Sequence, residues 1–276
     1  FWGLRGGGGN FGIVTALEYQ LHPVGPIVLA GPILYPLEQA REALAFQRDF
    51  VPGAPDQLMI LNVLFTVPPA PPFPEPLHGQ KLLFVVPLYV GPIEEGQRVV
   101  APLRGVGTPI ADLVGPMPYT VLQTTLDASL PTGIRSWSGF YYLRSLDDGA
   151  IDVLVERFRQ AASPHSHVVI ARMDGALTRA APDATAFPHR QEQYLVWIVS
   201  AWPETAADEA NIRWARAFGE ALQPYATGST YVNGQGAEEA DRVAAAYSPA
   251  TYERLVALKR RYDPTNPFRL NQNLKP

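Results

Sequence analysis

Two stretches decide the fold class: QLMILNVLFTV, spanning Gln57–Val67, and KLLFVVPLYV, spanning Lys81–Val90. Both are dominated by aliphatic, β-branched and aromatic side chains and are bounded by turn residues, which is the signature of strands. Between them Val67–Pro76 holds six prolines, which predicts an extended exposed connection and no further element. Working outward, helices flank this pair. Upstream, the apolar run Ile27–Tyr35 leads to Pro36, suited to a first helical turn. Ala40, Ala43, Leu44, Ala45 and Phe46 then recur at helical spacing until Pro52-Gly53-Ala54-Pro55 stops them. Downstream, Ile93–Leu103 reads as a helix. Asp147–Gln160 is a clearer one, capped by Ser145 or Asp147, with Ile151, Leu154, Val155 and Phe158 on one face. Val168–Met173 and Tyr194–Trp202 read as strands. Glu204–Leu222 reads as a long helix with Ile212, Ala215, Phe218 and Leu222 inward. Strands thus come in pairs between helices and do not alternate strictly with them. That predicts an α+β fold: a mixed or antiparallel sheet with helices on one face.

The two ends add local detail. Phe1–Arg5 reads as a helix end or turn. Four glycines, Gly6 to Gly9, lead through Asn10-Phe11-Gly12 into Ile13–Leu21, which reads as a strand until His22-Pro23-Val24-Gly25-Pro26 breaks it. At the other end Ser248 caps a last helix opened by Pro249. Lys259, Arg260 and Arg261 stand at the negative end of its dipole, before Asp263-Pro264.

Composition narrows the function classes. Lys plus Arg number 22 against 26 Asp plus Glu, a formal charge of −4 over 276 residues. Such a chain has no broad basic surface for holding phosphate backbones, so general nucleic-acid binding is not expected. Its longest apolar stretches, such as Tyr194–Trp202, are too short to cross a bilayer as a helix. Cysteine is absent, which excludes disulfides, thiol nucleophiles and Cys-ligated metals in this chain. The chain opens on Phe1 without Met, and a piece of a longer protein is expected.

The chemistry-bearing patterns are few. Gly7-Gly8-Gly9-Asn10-Phe11-Gly12 formally matches G-x-G-x-x-G. A dinucleotide-binding turn runs from a strand into a helix, however, and the segment expected here is a strand, so a nicotinamide-type site is rejected. Successive residues without Cβ still allow backbone N–H groups to approach a bulky or anionic ligand; a tight structural turn is the equal alternative. No Gly-Lys pair, G-x-S-x-G or H-E-x-x-H is present. His165 and His167 lack a supporting third ligand and read as a solvated loop pair, so no metal site is expected. The acidic pairs Glu94-Glu95, Asp147-Asp148 and Glu238-Glu239 lie near helix starts, where the dipole favours them. Tyr231-Val232-Asn233-Gly234-Gln235-Gly236 is read as extended, which places the Tyr231 phenol and the Asn233 amide on one side as a ligand-facing pair.

The segments at both ends carry a resemblance. Phe1-Trp2-Gly3-Leu4-Arg5 with Gly6 to Thr15 resembles a segment of FAD-linked oxidases of the vanillyl-alcohol-oxidase superfamily. Tyr252–Asn266 with Phe268-Arg269-Leu270-Asn271-Gln272-Asn273 resembles the closing module of the berberine-bridge-enzyme-like group. Ala186-Phe187-Pro188-His189-Arg190 and Tyr231-Val232-Asn233 are similar to the same group. The resemblance implies that residues 1–26 end an FAD-binding domain, 27–225 form a substrate domain, and 226–276 return to the flavin site. It implies FAD as cofactor, with Gly7, Gly8, Gly9, Asn10, Gly12, Ile13, Val14, Tyr231, Asn233 and Asn271 against it. Covalent flavin attachment would belong to an upstream part; none of His22, His78, His165, His167 or His189 sits in a matching pattern. Where the group usually carries an aromatic residue after the Tyr-x-Asn asparagine, this chain has Gly234, which is expected to leave the pocket floor more open.

The implied activity is that of an FAD-dependent oxidase taking a hydride from a small organic substrate, with O2 as acceptor. Tyr231 is the candidate base; a free phenol ionises near pH ~10, so such a base needs a site that favours the phenolate. Of Tyr141 and Tyr142, adjacent on a strand, at most one faces the site. The alternatives are a non-catalytic small-molecule-binding protein of the same fold, and a flavin dehydrogenase with another acceptor.

Overall fold

The computed structural model describes residues 1–70, 73–125, 133–234, 243–270 and 272–276. Its frame is one antiparallel sheet. The strands are β1 (Ile27–Ala30), β2 (Ile33–Pro36), β3 (Leu58–Thr66), β4 (Lys81–Tyr89), β5 (Ala111–Asp112), β6 (Gly115–Pro118), β7 (Arg135–Leu143), β8 (His167–Arg172) and β9 (Tyr194–Trp202). The helices are α1 (Ala40–Phe50), α2 (Ile93–Arg104), α3 (Tyr119–Thr124), α4 (Asp148–Arg159), α5 (Ala176–Arg179), α6 (Asp208–Leu222) and α7 (Pro249–Tyr262).

The strands run in the order β5-β2-β4-β3-β8-β9-β7, with β1 paired to β4 and β6. The two deciding stretches pair with each other along their whole length, from Leu58 opposite Tyr89 to Thr66 opposite Lys81. Their connection is not the fully extended, exposed run its prolines predict: Glu75–Leu77 makes a 3-10 turn, and Phe73 folds back onto Phe65 and Phe84 in a small apolar cluster with Leu34, Val67 and Leu82. Pro71 and Pro72 lie outside the described residues.

Alternation along the strands sorts the faces. Leu58, Ile60 and Leu64 of β3, Leu83, Val85 and Tyr89 of β4, Val168 and Ile170 of β8, and Tyr194, Val196 and Ile198 of β9 enter one core. Helices α1, α4 and α6 close it with Ala43 and Leu44, with Ile151, Leu154 and Phe158, and with Trp214, Ala215, Phe218 and Leu222. The α4 face is the one its spacing predicted. On α6 the large inward residue missed from the sequence is Trp214, and Ile212 is only half-buried. Fully burying one such side chain is worth about 1.5–3 kcal/mol, so this face carries most of the apolar stabilisation.

Two sequence expectations are corrected. Ile13–Leu21 forms no strand: residues 13–25 run without a ladder partner among the described residues, and Ile13, Leu17, Tyr19 and Leu21 are exposed. Apolar side chains at alternate positions gave the strand signal, but a strand exists only where neighbouring backbone accepts its hydrogen bonds. Val232–Gly234 is a 3-10 turn and not an extended run, closed by Gly234 N–H donating to the Tyr231 carbonyl at 2.8 Å. Glycine and asparagine favour such turns, which the alternation argument overlooked. Strand β7 was hardly legible, because Ser136, Ser138 and Gly139 dilute its apolar signal; pairing with β9 over Arg135–Leu143 supplies it instead.

A second, smaller core lies apart from the sheet. Ala186, Val232, Val243, Ala246, Tyr247, Leu255 and Leu274 form it, with Trp2, Phe11 and Tyr252 packed against them. It gathers the two chain ends, the 186 loop and α7 into one cluster. Among the described residues no helix is long and apolar enough to cross a membrane.

Candidate functional site

The glycine ribbon is held in place by three separate segments. Asn10 is buried, and its side chain is spent entirely on protein. Its Nδ2 donates to the Gly7 and Gln272 carbonyls, each at 3.0 Å, and its Oδ1 accepts from Leu274 N–H at 2.9 Å. Lys259 extends from α7, fully buried. It donates to the Asn10 carbonyl (3.0 Å), to the Phe268 carbonyl (2.8 Å) and to the Asp263 carboxylate. All three ammonium protons are thereby satisfied, which is what lets a charge stay in a dry core. The 186 loop grips the other edge: Ala186 N–H donates to Trp2 O (3.3 Å), Phe187 N–H to Arg5 O (3.0 Å), and Trp2 Nε1 to Asp183 O (2.7 Å). Tyr247 Oη donates to the Gly6 carbonyl at 3.0 Å. Gly6, at φ +124°, has no room for a side chain, because a Cβ would run into the backbone of Phe187.

Between ribbon and loop lies a cavity of about 390 Å³. Gly6 and Gly8 form one wall, Phe187, His189 and Arg190 another, and Tyr231, Asn233 and Tyr247 a third. Gly8, Tyr231 and Asn233 are therefore brought together, as expected. Gly7 is buried beneath the ribbon, and Gly9, Gly12, Ile13 and Val14 lead away from the cavity, with Ile13 82% exposed. Asn271 and Glu238-Glu239 lie outside the described residues. The neighbouring Gln272 and Leu274 are the residues bonded to Asn10, so the closing tail lies on the ribbon.

Despite the turn, the phenol and the amide meet: Asn233 Nδ2 donates to Tyr231 Oη at 3.0 Å. Tyr231 is half-buried and leans on Phe140, ring centroids 5.7 Å apart. Phe140 stacks in turn on Trp197 at 5.2 Å and 13°. The open floor expected at Gly234 is absent, since a Cβ there would collide with the Phe140 ring. The aromatic bulk arrives from β7 across the cleft.

Tyr142 turns to this side of the sheet and Tyr141 to the helix side, against Gly219 of α6. Tyr142 is buried and stacks on His189 at 3.8 Å. Burial pushes its phenol far up, and the nearby Tyr231 and Glu192 add to the shift, so it stays protonated and cannot act as a base. His189 was passed over as a site residue, yet it lines the cavity with its Nδ1 3.7 Å from Glu192 Oε1, too long for a hydrogen bond. His167 opens β8 and lies edge-on to Trp197 at 6.2 Å. Burial lowers its pKa, against a weak contact with the His165 carbonyl. Among the described residues no group of three or more His, Cys, Asp or Glu is placed to hold a metal.

The ribbon and the Tyr231–Asn233 pair thus line one cavity, and the closing tail is bonded to the ribbon through Asn10. Residues 230–275 match the family described as berberine and berberine like. The chain resembles the berberine-bridge-like FAD-linked oxidoreductases from end to end. It is 24% identical over 277 residues to an FAD-linked oxidoreductase of Dictyostelium discoideum, covering all of this chain and 58% of that protein. It is 25% identical over 305 residues to (R)-6-hydroxynicotine oxidase of Paenarthrobacter nicotinovorans, covering all of this chain and 60% of that one. The fold matches berberine bridge enzyme, solved as a variant in complex with (S)-reticuline, with a TM-score of 0.82 at 18% identity; the match covers the whole chain and 60% of that structure. The chain thus spans about three fifths of the length of these relatives, and it is their C-terminal part. The berberine-like module contains Tyr231, Asn233, Lys259 and Asp263, so it supplies both the cleft pair and the buried clamp beneath the ribbon.

Proposed function

We propose that this chain is the substrate-side part of an FAD-linked oxidase that removes a hydride from a small organic molecule, with O2 as the final acceptor. The observation that supports the reading is that the glycine ribbon and the Tyr231–Asn233 pair line one cleft, with the closing tail bonded to the ribbon behind it through Asn10. In this reading residues 1–26 and 226–276 belong with a flavin-binding domain, and 27–225 form the substrate domain.

The residues present fit such a cofactor along one wall. Gly8, at φ +68°, leaves the ribbon's backbone open to a ligand, the cleft is lined by cationic side chains, and a stacked aromatic pair stands beside Tyr231. Gly8, Tyr231 and Asn233 would hold the group here. Exposed Gly9, Ile13 and Val14, with half-buried Gly12, would reach it where it continues into the flavin domain, with Asn271 approaching from the tail. Asn10 acts from behind as the ribbon's anchor. When bound, FAD supplies the two-electron redox chemistry. The chain's own part is to seat the substrate against the Phe140–Trp197 wall, keep water out, and take a proton at Tyr231 Oη. The Asn233 amide fixes that oxygen by donating to it, which aims it into the cleft; as the phenolate it would still have lone pairs free to take the substrate's proton and become the neutral phenol.

In the full-length protein Tyr231→Phe should slow flavin reduction about a hundredfold or more. Stopped-flow absorbance at the flavin band measures this, and an unchanged rate removes Tyr231 as the base. Peroxide released in air at one equivalent per turnover checks the acceptor. Its absence while flavin is still reduced favours a dehydrogenase.

A further inference from the structure

The cavity beneath the ribbon has an unbalanced charge. Arg5, His189 and Arg190 line it, and no Asp or Glu does among the described residues. Arg5 is exposed, but Arg190 is only 9% exposed. Its guanidinium donates to the Leu177 carbonyl (2.7 Å) and to Thr185 Oγ1 (2.8 Å), and its Nε has no hydrogen-bond partner. It forms no ion pair among the described residues. The Phe187 ring lies 5.6 Å from its Cζ and the Thr185 hydroxyl holds its far edge, so the fork is fixed before any ligand arrives. A buried guanidinium without a carboxylate is costly to keep in a fold. In a chain of net charge −4, this cavity is lined by two arginines and by no acid among the described residues. Glu192 lies 3.7 Å from His189 Nδ1 and forms no ion pair with Arg190.

We propose that this cavity is an oxyanion site, in which Arg190, assisted by Arg5, pairs with a phosphate or carboxylate group of the molecule that fills the cleft. Guanidinium forks match both groups through paired N–H donors. The inference deepens the flavoprotein reading. It rests on that reading for one of the two sources of the anion, the cofactor's phosphate; the other source is a carboxylate on the substrate. Neutral organic substrates would then bind less well than their carboxylated analogues.

The test uses the full-length protein freed of flavin, as wild type, Arg190→Gln and Arg5→Gln. Binding of FAD and of riboflavin, which lacks phosphate, is read by quenching of flavin fluorescence; binding of benzoate is read by calorimetry. If the phosphate is the partner, Arg190→Gln weakens FAD about ten- to a hundredfold and leaves riboflavin unchanged. If a carboxylate is the partner, Arg190→Gln weakens benzoate by a similar factor and leaves FAD unchanged. Arg5→Gln, an exposed change that does not threaten folding, is expected to weaken the same probe less, about two- to fivefold. It decides the matter alone if Arg190→Gln does not fold. Affinities for all three probes within experimental error of wild type overturn the inference, as does a wild type that binds none of them. A wild type that binds benzoate in an Arg190-dependent way but neither flavin leaves the oxyanion site standing and removes the flavoprotein reading.

Discussion

The two cores of this molecule are built on different principles. The sheet core is dry and largely apolar: Leu, Ile, Val and Tyr side chains from β3, β4, β8 and β9 meet α1, α4 and α6 with few polar groups between them. The smaller core under the ribbon contains few apolar residues and is held by buried polar pins, chiefly Asn10, Lys259 with Asp263, and Tyr247. Hydrophobic burial is tolerant of detail, because it scales with area. Polar pinning is not, because each lost partner leaves another group unsatisfied in a dry place. The region that must be placed to a fraction of an ångström is thus held by the more exacting interaction.

Substitutions can break this contrast. The largest effects are expected from one change in each core. Lys259→Met strands the Asp263 carboxylate and orphans the Asn10 and Phe268 carbonyls, and should cost about 3–5 kcal/mol. Phe218→Ala opens a cavity between α6 and the sheet and should cost a similar ~3–5 kcal/mol. The distinction lies in where the damage appears. Hydrogen exchange on the full-length protein should show Lys259→Met loosening residues 1–12 and 266–274 while β3 and β4 keep their protection. Phe218→Ala should lower protection across the sheet. Uniform loosening by both would mean that the two cores are one cooperative unit. Asn10→Ala removes the donation to Gln272 and the acceptance from Leu274 that join ribbon to tail, together with the donation to Gly7 within the ribbon, and about 2 kcal/mol is expected in a denaturant melt. A loss under ~0.5 kcal/mol would show that Lys259, the 186 loop and Tyr247 hold the ribbon without the Asn10 side chain.

The smallest effect is a pH dependence on the site face of the sheet. Burial holds the folded-state pKa of His167 below its ordinary value, so the unfolded chain binds the proton more readily. Its contribution to stability is complete above about pH 6.5, the ordinary imidazole value, and is lost as pH falls through the lower folded value. His167→Phe should therefore flatten the acid side of the stability curve between pH 7 and pH 5. A curve of unchanged slope would assign the acid loss to other groups.

The same contrast explains what was legible in the sequence. Strands β3, β4 and β9 and helices α1, α4 and α7 follow from local periodicity and caps; Ser248 accepts from Thr251 N–H as its position predicted. Lys259 did not. In sequence it is one more cation in a last helical turn, and only its burial beneath Asn10, 249 residues away along the chain, shows its role. Gly8, Tyr231 and Asn233 line the cleft as the glycine run and the resemblance imply, although the alternation argued for Tyr231 and Asn233 does not hold; nothing in the sequence reading places His189, Arg190 or Phe140 beside them. The loop and strand that carry them reach it only through pairing with distant segments, Arg5 with Phe187 and β7 with β9. Ile13–Leu21 failed in the opposite direction: a strand-like pattern without a neighbour to complete it.

The packing of Phe140 into the space above Gly234 makes the two positions reciprocal. Either the turn or the strand furnishes the bulk on that wall, and the volume admits only one of them. In this chain a large residue at position 234 therefore calls for a small one at position 140. Swapping the pair, Gly234→Tyr together with Phe140→Gly, would move the aromatic ring from the sheet to the closing module while the room around Tyr231 stays the same.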